Sequence, residues 1–120
     1  MTLDQHREWV QICSELAERE FTARRTVTGA EMAWGAVSHA VKWVAHQRDG
    51  MPTYSHHHVG LAVDQLDAEF SELYLASDFG QAESLHEHFY RGHLRDHQVR
   101  NSWNLAQRFI ANLLSLPIPP

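Results

Sequence analysis

Fourteen consecutive residues, Ser84 to His97, hold four imidazoles, two guanidiniums and the Phe89–Tyr90 pair. Such a run can bind a metal, cut RNA, or simply clothe an exposed helix. The metal chemistry has a spacing of its own. His93 and His97 stand at i, i+4, which places two imidazoles on one helical face. His86 would join them if one helix ran unbroken through Gly92, because seven residues advance about 700°, close to two turns. Three imidazoles can make an open zinc-type site. Glu83-x-x-His86 adds a carboxylate at the spacing used by di-iron bundles, though no second copy of it occurs.

The remaining histidines read differently. His56-His57-His58 resembles a metal tract, yet consecutive helical side chains diverge by about 100° and cannot chelate together. One of them is expected to pack beneath the loop Asp49–Tyr54. His39 lies among Ala36, Val37, Ala40 and Val41, the surroundings of a core or interface imidazole. Trp34 and Trp103 fall on apolar stripes, and Trp43, beside Val41 and Val44, is expected to be partly exposed.

Helices must position all of these groups. Leu3, Trp9, Ile12, Cys13 and Leu16 recur at helical steps, predicting a first helix capped by Asp4 and running to about Arg24. A second opens near Thr28, with Glu31 at capping-box spacing, and carries Ala30, Ala33, Trp34, Val37, Ala40, Val41 and Val44. Its Gly35 and Ser38 allow a neighbour to approach closely, so it reads as the central, most buried element. Asp49 to Tyr54 is a loop, and Ser55 caps a third helix striped by Val59, Val63, Leu66, Phe70 and Leu73. Ala76 to Gly80 reads as the next turn, with a fourth helix from Gln81 or Ala82 through Leu85 and Phe89. The last helix carries Val99, Trp103, Ala106, Ile110 and Leu113 until Pro117. No segment alternates with period two for long enough to suggest a strand. The expectation is all-α: an up-and-down bundle of four long helices plus one shorter one, residues 1–120 forming one domain.

Composition narrows the function classes. The 120 residues are 43 % hydrophobic and 21 % charged, the balance of a packed globule. A formal charge of −5 disfavours tight duplex DNA binding, which relies on phosphate neutralisation, while leaving room for a small basic cleft. Cys13 is the lone cysteine, so no intrachain disulfide or thiolate zinc site is expected, and its place in the helical pattern reads as a buried small hydrophobe. Residues 1–8 carry no apolar signal region and no apolar run reaches the ~18 residues of a membrane span. A cytoplasmic protein without membrane contact is the expectation.

Three local patterns together resemble the HEPN superfamily of helical bundles, and within it the PaREP-like branch. They are the small-residue helix Ala33-Trp34-Gly35-Ala36-Val37-Ser38-His39-Ala40-Val41-Lys42, the segment Pro52-Thr53-Tyr54-Ser55-His56-His57-His58, and Leu85-His86-Glu87-His88-Phe89-Tyr90-Arg91-Gly92. The resemblance, carried by their order and spacing, covers about Glu15 to Leu113. The resemblance implies a bundle that commonly dimerises, with activities from metal-independent RNA cleavage to nucleotide binding.

Nuclease members of that superfamily carry an arginine and a histidine four to six residues apart, and here five residues separate Arg91 from His97. On that resemblance Arg91 would hold the scissile phosphate and His97 would move the proton of the ribose 2′-hydroxyl or of the leaving oxygen. Gly92 stands where a polar residue usually follows the arginine, and the PaREP-like branch is not defined by this motif. The function expected is therefore a nucleotide- or RNA-associated module, a homodimer without a cofactor, with His56, His57, His86, Tyr90 and Arg95 as ligand-contacting candidates. The alternatives are a toxin-like endoribonuclease acting through Arg91 and His97, with an antitoxin-type protein partner, and a metal-binding bundle using His86, His93 and His97.

Overall fold

A computed structural model describes residues 1–48 and 50–119. Five α-helices follow one another: α1 (Leu3–Thr22), α2 (Thr26–His46), α3 (His56–Glu69), α4 (Leu75–Arg91) and α5 (Asp96–Leu114), with a single 3-10 turn, Ser71–Leu73, between α3 and α4. No strand occurs among the described residues, and no described helix is long and apolar enough to cross a membrane.

The start of α1 is set by Thr2, not Asp4. The Thr2 hydroxyl accepts from the Gln5 N–H at 3.2 Å and the Gln5 side chain accepts from the Thr2 N–H at 2.8 Å, a reciprocal capping box. Asp4 sits in the first turn, where its charge faces the positive end of the helix dipole. The buried face runs through His6, Val10, Cys13 and Ala17, so Trp9 lies at its rim, 39 % exposed and stacked on His39.

A tight three-residue turn folds α2 back along α1. Phe21 meets Gly29, Cys13 meets Gly35, and His6 meets His39 and His46, an antiparallel register. Gly35 eases this approach, because a Cβ there would stand a tight 3.2 Å from the Cys13 sulfur. As expected, α2 is the central helix and has ten buried residues. It begins at Thr26, two residues before the expected start, and the Thr28–Glu31 capping box does not form. The Thr28 hydroxyl donates instead to the Arg25 carbonyl at 3.2 Å, and Glu31 turns toward α4.

Ser55 caps α3 as its sequence predicts, its hydroxyl accepting from the His58 N–H at 3.2 Å. The helix ends at Glu69, so Phe70 and Leu73 pack from the 3-10 turn, half-buried against the core. The expected turn at Ala76–Gly80 is helical. The chain turns earlier, through Tyr74 in the left-handed region (φ 56°), and the Ala76 N–H donates to Asp67 at 3.0 Å. Gly80 costs an exposed helix about 1 kcal/mol. Leu75 and Leu85 are fully buried and each contributes roughly 1.5–3 kcal/mol, so burial outweighs the glycine.

α4 stops at Arg91, where Gly92 takes φ 58° and its N–H donates to the His88 carbonyl at 2.8 Å. After residues 92–95 the chain returns as α5 antiparallel to α4: Gln81 meets Ser102 and Phe79 meets Phe109. Of the face expected for α5, Val99, Trp103, Ala106, Ile110 and Leu113 are buried, as is Phe109 beside them, while Leu114 at its edge is half-buried.

Candidate functional sites

Three of the five ligand-contacting candidates converge. His56 opens α3, His86 lies midway along α4, and both rings pack on the buried indole of Trp34 from α2, with centroids 5.0 and 4.9 Å away. The two imidazoles stand 5.5 Å apart, and Tyr90, one turn beyond His86, meets its edge at 5.3 Å. Two carboxylates complete the group. Glu31 of α2 lies 3.0 Å from His86 Nδ1, and Glu83 of α4 lies 2.9 Å from His56 Nε2. The second Glu31 oxygen, Oε2, is buried without a hydrogen-bond partner.

His57 and Arg95 lie outside this group. His57 is exposed, its ring 5.9 Å from that of His58, while Arg95 caps α5 through its backbone, its N–H donating to the Gln98 side chain at 2.9 Å. The histidine triplet diverges as helical geometry demands. His56 turns to Glu83, and His58 bonds the Ser55 hydroxyl at 2.8 Å beneath the ring of Tyr54.

Arg91 and His97 sit on the two helices that flank residues 92–95. The Arg91 guanidinium pairs with Glu87 one turn back and both side chains are largely exposed; His97 lies in the exposed first turn of α5. Among the described residues no hydrogen bond or ion pair joins them. The helix break at Gly92 also dissolves the proposed trio of His86, His93 and His97. His86 faces Trp34, His93 lies between the helices against the His88 ring, and His97 belongs to another helix. Among the described residues, no three His, Cys, Asp or Glu side chains already converge on one point.

Two further imidazole groups lie inside the fold, with His6 and His88 buried and His39 half-buried. His6 and His39 face each other Nδ1 to Nδ1 at 2.9 Å, a contact in which one nitrogen must present a lone pair. Burial, then the neighbouring His39, His46, Lys42 and N-terminus, push the His6 pKa down to about 4; burial and then Lys42 lower that of His39. His88 accepts from the Leu94 N–H through Nδ1 at 3.0 Å, and its buried Nε2 has no partner. Burial, then His93, lowers its pKa against an opposing pull from Asp96.

Sequence reasoning missed a cleft of about 400 Å³ between the α1–α2 turn and the start of α5. Phe21 and Trp103 form its apolar wall, Thr22 and Thr26 supply hydroxyls, and Arg24 and Arg100 supply guanidiniums. Among the described residues neither arginine has an ion-pair partner. Glu18 and Asp96 also line the cleft, but Glu18 is engaged, accepting from the Trp103 indole N–H at 2.6 Å and from Gln107 at 3.3 Å.

The backbone beneath Arg24 is unusual. The Arg24 N–H donates to Phe21 O and the Arg25 N–H to Glu20 O, the paired bonds of a Schellman motif. Its left-handed position is normally a glycine; here it is Arg24 at φ 61°. The adjoining N-terminus of α2 has neither a side-chain cap nor an acidic residue in its first turn, so its leading N–H groups remain open to a ligand. In the sequence the basic pair Arg24-Arg25 is too short to mark a nucleic-acid footprint.

A family model matches residues 3–110, nine-tenths of the chain, and its description is the archaeal PaREP1/PaREP8 family. The chain belongs to that family. No curated protein and no solved structure matches this PaREP1/PaREP8 chain.

Proposed function

We propose that this PaREP1/PaREP8 protein is a nucleotide- or RNA-associated helical-bundle module of the HEPN kind, holding a phosphate-bearing ligand in the Arg24–Arg100 cleft. The observation that carries the reading is Arg24 itself. A non-glycine residue in left-handed backbone costs about 1 kcal/mol, and such strain tends to persist where a side chain must be aimed. Here it sets a guanidinium at the mouth of a cleft, beside Arg100 and the uncapped start of α2.

The chemistry is consistent across the site. Guanidiniums bind phosphate by paired, charge-assisted hydrogen bonds, and the open N–H groups at a helix start add favourable dipoles. A volume of about 400 Å³ lies in the range of small-molecule sites. Phe21 and Trp103 give an apolar wall against which a base or sugar can rest, and Asp96 offers an acceptor for a hydroxyl or amino group.

The test is calorimetric titration with mononucleotides and fluorescence anisotropy with a short oligoribonucleotide. Hydrogen bonds to charged groups are worth about 1.5–3 kcal/mol, so Arg24→Ala and Arg100→Ala should each weaken binding roughly tenfold or more. No saturable signal up to about 1 mM, a free energy near −4 kcal/mol, would refute the reading. Binding indifferent to both substitutions would refute it equally. If the RNA probe is cut in EDTA, and Arg91→Ala and His97→Ala abolish the cut, catalysis through that pair adds to the binding role.

A further inference from the structure

We infer that Glu31, His56, Glu83 and His86 form a binding site for one divalent first-row transition metal, lying between α2, α3 and α4. This inference is independent of the phosphate cleft, which lies at the α1–α2 turn. Its basis is the donor geometry. Neighbouring ligands about 2.1 Å from a metal lie about 3.0–3.4 Å from one another, depending on coordination number. The pairs Glu31–His86 and His56–Glu83 already stand at 3.0 and 2.9 Å.

The two pairs differ in mobility in a way that suits loading. Glu31 and His86 are about three-quarters covered, whereas His56 and Glu83 are nearly half exposed. Both imidazoles rest on Trp34, and the half-exposed side chains of the outer pair have the room to move toward an ion. Among the described residues no three donors meet at one point, so binding requires this movement of the outer pair.

Charge and unsatisfied bonding point the same way. Two carboxylates with two neutral imidazoles balance a dication. Glu31 Oε2, buried and without a hydrogen bond, is an acceptor that a cation would satisfy. The mixed imidazole–carboxylate set favours Zn²⁺, Fe²⁺ or Mn²⁺ over thiolate-seeking ions and over Ca²⁺ or Mg²⁺, which take oxygen ligands. Glu83-x-x-His86 supplies two of the donors from α4, His56 comes from α3, and Glu31 comes from α2.

The test uses untagged full-length protein stripped with EDTA and titrated calorimetrically with ZnSO₄ and, separately, MnCl₂. One ion per chain is expected with at least one of the two, together with a rise in Tm. Glu31→Gln and His86→Asn should weaken binding by about tenfold or more, while His57→Asn and His93→Asn leave it unchanged. Should the inner variants fail to fold, Glu83→Gln changes only a half-exposed side chain and should weaken binding alike. Uptake below about one-fifth of an equivalent at about 100 µM of either ion would overturn the inference. So would binding that Glu31→Gln, His86→Asn and Glu83→Gln all leave intact. Nucleotide titration of the same variants reports separately on the cleft.

Discussion

The guanidinium of Arg108 on α5 grips the buried carboxylate of Asp78 on α4 through two parallel hydrogen bonds, Nε to Oδ2 and Nη2 to Oδ1, both 2.7 Å. Asp78 is 1 % exposed and Arg108 is its only hydrogen-bond partner among the described side chains. Losing the arginine alone strands a charge in the core, whereas replacing both partners with apolar groups removes the charge and its desolvation penalty. Arg108→Met should therefore lower Tm markedly, and Asp78→Leu/Arg108→Met should recover most of the loss. Thermal unfolding of the single and double variants measures this. A double variant less stable than Arg108→Met would show that the pair contributes more than it costs.

That pair also explains what could be read from the sequence and what could not. Ala76-Ser77-Asp78-Phe79-Gly80 holds three turn-forming types, Ser, Asp and Gly, and nothing local reveals that Asp78 is held by a residue thirty positions away. The stripes of α2 and α5 were legible because Val37, Val41, Val44, Val99, Trp103 and Ile110 each answer one helical period. The face of α1 was displaced because Trp9 and Leu16 outweigh Val10 and Ala17 in hydrophobicity, although the smaller residues fit against α2. His56, His86 and Tyr90 were identifiable by type. Glu31 and Trp34 were not, because in the sequence one reads as a capping residue and the other as part of an apolar stripe.

Gly92 and Gly29 should fail for different reasons. Gly92 has φ 58° and nothing within 4 Å of an added Cβ, so Gly92→Ala pays only for left-handed backbone, about 1 kcal/mol. Gly29 is helical, but a Cβ there would stand 2.6 Å from the Phe21 ring, which packs on Trp103. Gly29→Ala should cost more, roughly 1–3 kcal/mol, by displacing that ring. Denaturant unfolding of the two variants checks the order. Because Phe21 lines the cleft, Gly29→Ala should also weaken ligand binding, whereas Gly92→Ala should not.

Acid should destabilise the fold through its buried imidazoles. His6 titrates near 4 in the folded chain and near 6.5 when unfolded. Between those values the unfolded chain binds more protons, so stability rises with pH: it is complete above about 6.5 and falls on acidification toward 4. His39 and His88, shifted in the same direction, add to the slope. A fully differential group contributes up to about 1.4 kcal/mol per pH unit. Denaturant midpoints at pH 7.5, 6 and 5 should fall in that order, and His6→Leu should flatten the acid limb. Equal midpoints across the three pH values would contradict the buried, neutral state of this pair.

Arg24→Gly separates folding from binding at the phosphate cleft. Glycine adopts the left-handed conformation at the Schellman position without steric penalty, so relief of strain favours the folded state by about 1 kcal/mol. Glycine also lowers the stability of the folded state by giving the unfolded chain more freedom, a smaller opposing effect. The net expectation is a Tm equal to or slightly above that of the parent chain. Binding responds in the opposite sense: with the guanidinium gone, affinity for a mononucleotide should fall roughly tenfold or more, as for Arg24→Ala. Arg24→Ala keeps the strain and loses the charge, so it should match the glycine variant in binding and fall below it in Tm. A glycine variant that is clearly destabilised would mean that the Arg24 side chain supports the turn itself, and the functional reading of its strained backbone would then fail.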